Sequence, residues 1–382
     1  MDGVFLVGMF IFSQQICHLD RSEAEWRDLR FAHGAAETAG AYSRQVRISA
    51  LMRIGFTAVS ALLLFVVQAT AAPKPQPPSN GPKATVIRDT NLYVGPDTSS
   101  ARLAEISPGR EMVIVEKNGP WVRVFANTDE ETSRAQDAPV FGHDAAAVPI
   151  SGWMSAAGVI SAETPKGDVI LFGAAATQEI DAMLPHAPQG FAQAARLLYQ
   201  RMGDLFPQSQ LTPEAAWRSA DIRWQLQKAD IMSLPSAHEK DAYMRESIDD
   251  EELHKLKKTY PRTKWADLAD WDMLDNKVCG DWQGSTKCPE KEAEMYEKYA
   301  QEHPDSPRAP EALYNAVYRQ GALHDIYGAN GDDKKAGAAK ARAVTLADTI
   351  AGKYPQSDYA ARAASLVYQL QESIPIYGTD HP

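Results

Sequence analysis

Two hydrophobic rhythms divide the chain. Between Ala84 and about Ser161 the apolar residues fall in short β-branched or aromatic runs: Thr85-Val86-Ile87, Glu111-Met112-Val113-Ile114-Val115, Trp121-Val122-Arg123-Val124 and Gly152-Trp153-Met154. Turn residues separate them at Ser107-Pro108-Gly109 and Asn118-Gly119-Pro120. Short strands broken by such turns predict a small β-barrel. From about Glu179 the period lengthens. Phe191, Ala194, Ala195, Leu198, Met202 and Leu205 share one helical face, and Ala343, Leu346, Ala347, Ile350 and Tyr354 repeat the pattern. The stretch 163–178 reads as a linker, with Val169–Phe172 a short apolar strand or docking segment. The expected fold is multidomain, β then α: a barrel over 84–162, an all-α body over 179–372 and a tail over 373–382.

One phrase recurs along the helical part: Phe206-Pro207-Gln208-Ser209, Tyr260-Pro261-Arg262-Thr263, His303-Pro304-Asp305-Ser306 and Tyr354-Pro355-Gln356-Ser357. A ring side chain precedes proline, a hydroxyl residue follows, and an alanine-rich segment comes next. Proline disfavours helix in the residue before it and cannot donate to a continuing ladder. The hydroxyl is placed to cap a new helix, and Thr212 competes with Ser209 for that role in the first copy. The alanines let the second helix approach the first. Each phrase therefore predicts a helical hairpin. Trp217, Trp224, Trp265 and Trp271 stand at helical spacing, which predicts core between hairpins rather than a ligand cage.

This phrase resembles the hairpins of tetratricopeptide proteins of the periplasmic kind, with segments 290–318 and 340–370 carrying it best. The prolines are farther apart than the about 34 residues of a regular repeat, so irregular pairs with long insertions are expected. The β region resembles the bacterial SH3-like domain. Leu92-Tyr93-Val94-Gly95-Pro96 matches its opening phrase with a residue missing, Pro108-Gly109 its glycine turn, Trp121-Val122-Arg123-Val124 its W-x-x-V strand and Gly152-Trp153-Met154 its closing G-W strand. Asn127–Pro149 departs from that family and reads as a flexible loop. The resemblance implies binding of cell-wall peptides or protein segments, not catalysis. Tyr93 and Trp121 are the candidate ligand-binding residues. Tyr93 alternates away from Leu92 and Val94, Trp121 fits either a groove or the core, and Trp153 is expected in the core.

Residues 52–72 read as a secretory leader: Arg53, the uncharged run Ile54–Val67, then Ala69-Thr70-Ala71 as a cleavage pattern. The run is short of the about 20 residues a spanning helix needs, so no stable membrane span is expected after cleavage. A signal peptide over 52–71 places the protein in the periplasm or otherwise outside the cytoplasm. Met52 is then the expected start, and 1–51 an extension given no fold. Residues 72–83 are proline-rich and form a tether.

The formal net charge is −11, and residues 1–71 hold equal numbers of acids and bases, so the acidity belongs to the remainder. An acidic body without a basic stripe argues against nucleic acid as a partner. Cys279 and Cys288 bracket a glycine-containing loop and are expected to pair in an exported protein. Cys279-Gly280-Asp281-Trp282 distantly resembles a papain-like nucleophile loop, but no family motif surrounds His303 or His324, and a thiolate mechanism needs a positioned His. Asp249-Asp250-Glu251-Glu252 reads as a solvated helix start and Asp332-Asp333-Lys334-Lys335 as a loop. No catalytic residue, metal site or cofactor is assigned. The reading is a non-catalytic exported envelope scaffold whose partners are envelope proteins or cell-wall peptides. The alternatives are a peptidoglycan-binding anchor with the repeats as spacer, and a cell-wall hydrolase.

Overall fold

Strand-forming residues come first and helix-forming residues follow, and the chain keeps to that division. In the computed structural model residues 81–128, 148–185, 187, 190–233, 248–279 and 282–377 are described, all within one compact unit, Gln76–Pro382. The expected extension 1–51, the leader 52–71, the tether up to residue 80 and most of the Asn127–Pro149 loop lie outside the described residues.

Seven strands form one antiparallel sheet: β1 (Lys83–Val86), β2 (Thr90–Tyr93), β3 (Arg102–Ile106), β4 (Met112–Asn118), β5 (Trp121–Thr128), β6 (Val148–Ser155) and β7 (Val159–Ser161), in the order β3-β2-β6-β5-β4-β1-β7. One face is dry. Ala84, Val86, Leu92, Ile106, Met112, Val122, Val124 and Met154 fill it. Two strands, β3 and β7, were not foreseen, and β2 was marked only by the alternation at Leu92-Tyr93-Val94. β3 is an edge strand exposed on most positions, so it carries no alternation to read, and β7 is only three residues long.

Among the described residues nine α-helices follow: α1 (Gly167–Ala182), α2 (Phe191–Leu205), α3 (Thr212–Ser233), α4 (Glu251–Thr259), α5 (Lys264–Asp272), α6 (Lys287–Glu302), α7 (Ala309–Ala329), α8 (Asp333–Lys353) and α9 (Asp358–Gln371). The four repeated phrases join α2 to α3, α4 to α5, α6 to α7 and α8 to α9. Their geometry is nearly one turn copied four times. Phe206, Tyr260, His303 and Tyr354 close their helices with φ between −132° and −123° and ψ between 52° and 59°. Each ring residue's N–H still donates to the helix it ends, at 2.8–2.9 Å. Thr263 and Ser357 then cap the next helix with their hydroxyls, accepting from Ala266 and Tyr359 at 3.3 Å. In the first copy α3 begins at Thr212, whose hydroxyl donates back to the Phe206 carbonyl at 2.7 Å. Ala215, Ala220, Ala269, Ala312, Ala316 and Ala363 are buried where the helices meet. The first and last proline intervals are long because α3, α7 and α8 run to 21 or 22 residues, and the middle one because the disulfide-closed loop separates α5 from α6.

Several expectations need correction. Most of the expected linker 163–178 is helix: α1 starts at Gly167, whose absent side chain leaves room for the Phe206 ring, 2.5 Å from where a Cβ would lie. Val169–Phe172 is therefore helical, with Leu171 buried. Asp332 is no loop residue but the cap of α8, its carboxylate accepting from the Lys335 N–H at 3.1 Å. The acidic run does begin α4, yet Glu252 is not merely solvated. It takes Arg196 at 3.0 Å and Arg223 at 2.7 Å, while Asp249 takes Arg223 at 2.8 Å. The tryptophans lie where expected: Trp217, Trp224 and Trp271 are buried between helices, and Trp265 stacks on Trp217 at 5.4 Å.

The sheet does not hang free of the helices. Gly109, in the β3–β4 turn at φ +79°, lies against α2, where a Cβ would stand 2.5 Å from the Leu197 Cβ. Ile87 and Ile160 from the sheet region pack into the same cluster as Leu171, Leu198 and Tyr199. Arg201 of α2 reaches Glu111 at 3.7 Å. Arg110 is half-buried there near Arg196 and Arg201, and desolvation followed by those two charges lowers its pKa.

Candidate functional site

Strand alternation alone decides which side chains leave the core. In β5 the inward positions go to Val122, Val124 and Ala126, so Trp121, Arg123 and Phe125 take the outer face. In β6 Gly152 and Met154 point inward, which puts Trp153 outside, half-buried. Trp153 was expected in the core, and the correction follows from this register. Gly152 has a specific role: a Cβ there would lie 2.6 Å from the Leu92 side chain, so β2 can cross close to β6 only because that position is glycine. In the β2–β6 pairing Tyr93 stands directly opposite Trp153.

The two residues singled out from sequence meet on that face. The Tyr93 and Trp121 rings stand edge to face, 5.9 Å between centroids and 85° between planes. Trp153 pairs in register with both Tyr93 and Arg123, and Trp121 pairs with Ser155. The result is a half-buried aromatic surface flanked by hydroxyls. Its cations are already paired: Arg123 to Glu116 at 3.1 Å, and Arg102, in register with Tyr93, to Glu105. Beside it the β2–β3 turn is braced by Asp97, whose carboxylate accepts from the Ser99 hydroxyl and from the Ser99 and Ser100 N–H groups at 2.6–2.9 Å. The Ser99 hydroxyl is the largest cause holding the Asp97 carboxyl below its ordinary range; desolvation opposes it, and the Ser100 and Ser99 amides each lower it by less. A planar or extended ligand would find stacking surface here, bordered by charges that are already paired.

A second constellation lies at the other end of the described chain. Cys279 and Cys288 form a disulfide with Cα atoms 6.0 Å apart, within the usual span. The loop they close carries Trp282, which is buried. Glu292, only 1% exposed, organises it by accepting from the Cys279 N–H at 2.8 Å and the Trp282 indole at 3.3 Å. Arg319 pairs with Glu292 at 3.1 Å and lies over the rings of Tyr296, Trp282 and Tyr318. Glu292 and Arg319 escaped the sequence reading, since nothing local marks a carboxylate that works through partners on other elements.

His303 and His324 serve structure. His303 is held between Asp267 at 2.8 Å and Asp270 at 3.3 Å, and His324 bonds through Nδ1 to the Ala336 carbonyl at 3.0 Å. Neither ring is bonded to Cys279, whose sulfur is spent in the disulfide. Among the described residues no group of three or more His, Cys, Asp or Glu is arranged to hold a metal ion, and no helix is long and apolar enough to cross a membrane. Comparison with protein-family models and with curated proteins gave no match.

Proposed function

We propose that this chain is a non-catalytic, exported envelope scaffold that binds protein segments or cell-wall peptides through an SH3-like sheet, with the tetratricopeptide-like helices forming the body that presents it. The observation that carries this reading is the Tyr93–Trp121 edge-to-face pair on the outer sheet face, beside Trp153 and outside the dry core. Aromatic rings left half-exposed at a strand crossing are costly to keep wet and well suited to stacking on a ligand. The disulfide supports the non-catalytic reading, because a sulfur in a bridge cannot act as a nucleophile.

The test is co-sedimentation with purified cell-wall sacculi and capture of peptides from a defined envelope-protein digest. Tyr93→Ala together with Trp121→Ala should lower retention by about tenfold, the scale expected for losing two aromatic anchors. Its circular dichroism should match that of the unaltered chain. Retention equal to the unaltered chain on both materials would refute the assignment of this face. Retention on sacculi alone would favour the anchor reading, in which the helices act as spacer.

A further inference from the structure

The chain's last described residues double back onto α7. Gln371–Pro375 are all exposed, and then Ile376 and Tyr377 are gripped. Asp325 accepts both of their backbone N–H groups on one carboxylate oxygen, at 2.6 and 2.9 Å. Ile376 drops into a notch opened by Gly321, where a Cβ would lie 2.6 Å from its Cδ1, and joins the helical core at 8% exposure. Tyr377 lies against Trp282 at 5.6 Å, and its hydroxyl accepts from the Gly284 N–H at 2.9 Å. The grip reads backbone and two side chains, and it depends on a carboxylate and a glycine of α7 and on a ring from the disulfide-closed loop.

An exposed tether with a two-residue anchor costs little to release, and the grip continues into an open cleft. That cleft, about 510 Å³, shares Asp325 and Pro375 with the anchor and is lined further by His324, Gly328 and Asp333. Its lining holds two carboxylates and no lysine or arginine. We propose that this is a peptide-binding site, filled in cis by Ile376-Tyr377, whose partner is an extended segment carrying a basic residue followed closely by an apolar–aromatic pair. The cis tail defines the apolar–aromatic half of that preference. The cleft beside Pro375 supplies the basic half, because a cation there meets the carboxylates of Asp325 and Asp333 in its lining. The site is distinct from the Tyr93–Trp121 face and does not rest on its assignment.

The probes are three labelled peptides with the sequence of residues 373–378, having isoleucine, lysine or glutamate at the position of Ile374. Anisotropy is measured with the full chain and with full chain bearing Ile376→Ala and Tyr377→Ala. The emptied chain should bind one lysine peptide per molecule about tenfold more tightly than the glutamate peptide, the ratio expected for one complementary against one repelling contact. The unaltered chain should bind about tenfold more weakly, because its own tail competes. Adding Asp325→Ala to the emptied chain should abolish binding. Should the emptied chain fold poorly, amide hydrogen exchange on the unaltered chain replaces it. Saturating lysine peptide should then speed exchange at Ile376 and Tyr377 about tenfold, as the cis bonds open. No binding by a folded emptied chain, binding indifferent to Asp325→Ala, or unchanged exchange at saturation would each overturn the proposal. Conversion of the unaltered chain to a tail-exchanged dimer would overturn it as well, since the groove would then serve self-association.

Discussion

Gly109 combines a left-handed backbone, at φ +79°, with contact against Leu197 where a side chain would begin. Alanine there meets both obstacles, so Gly109→Ala should cost about 1–3 kcal/mol from strain, with overpacking added. Chemical denaturation would measure it; no loss would mean that the turn and α2 separate freely. Two phenols set a pH limit. Burial first, with nearby carboxylates assisting, raises the pKa of Tyr199 and of Tyr299, the latter against its bond to Ser306. The fold therefore keeps protons that the unfolded chain releases near pH ~10. Stability is intact below that point and falls as pH climbs toward the folded values. Ultraviolet absorbance should show both phenolates forming only with alkaline unfolding, and Tyr299→Phe should remove one from that step. At this scale the sequence was a partial guide. Tyr93 could be placed by alternation, whereas Trp153 was misplaced because in β6 the inward places go to Gly152 and Met154, and a glycine does not mark itself as an inward residue.

The helical hairpins were legible because proline and hydroxyl residues act on their immediate neighbours, and the same turn recurs at Phe206, Tyr260, His303 and Tyr354. Helix α1 was not, for a local reason. Its cap position, Lys166, sits in left-handed backbone and makes no side-chain cap, so no start signal precedes the apolar run Val169–Phe172. A four-residue apolar run reads equally well as strand or helix. The disulfide loop was visible as a pair of cysteines, but its anchorage was not: Arg319 lies 27 residues from Glu292 in sequence. Replacing both Cys279 and Cys288 by serine should lower unfolding stability by about 2–3 kcal/mol on the chain-entropy estimate. Retention by the Tyr93–Trp121 face should not change, and a loss there would tie the loop to that site.

For the whole molecule, composition and rhythm foretold a β region followed by an α region, but not how the two are joined. A junction made by Ile87, Gly109 and Ile160 against Leu197, Leu198 and Tyr199 requires residues from both halves, which no single window of sequence contains. The sheet and the first helices should accordingly unfold together. Limited proteolysis should not release a soluble helical fragment beginning near 165–180, and a stable fragment of that kind would refute the shared core. The same junction has a consequence for any partner with two contact points. Tyr93 and Asp325 sit in one continuously packed body, so a ligand able to touch both faces meets them at a set separation. Its second contact gains from a high effective concentration only when its own spacer matches that span, and gains nothing when the spacer is too short. Selection among such partners would then be exercised by length, with neither contact needing to be strong.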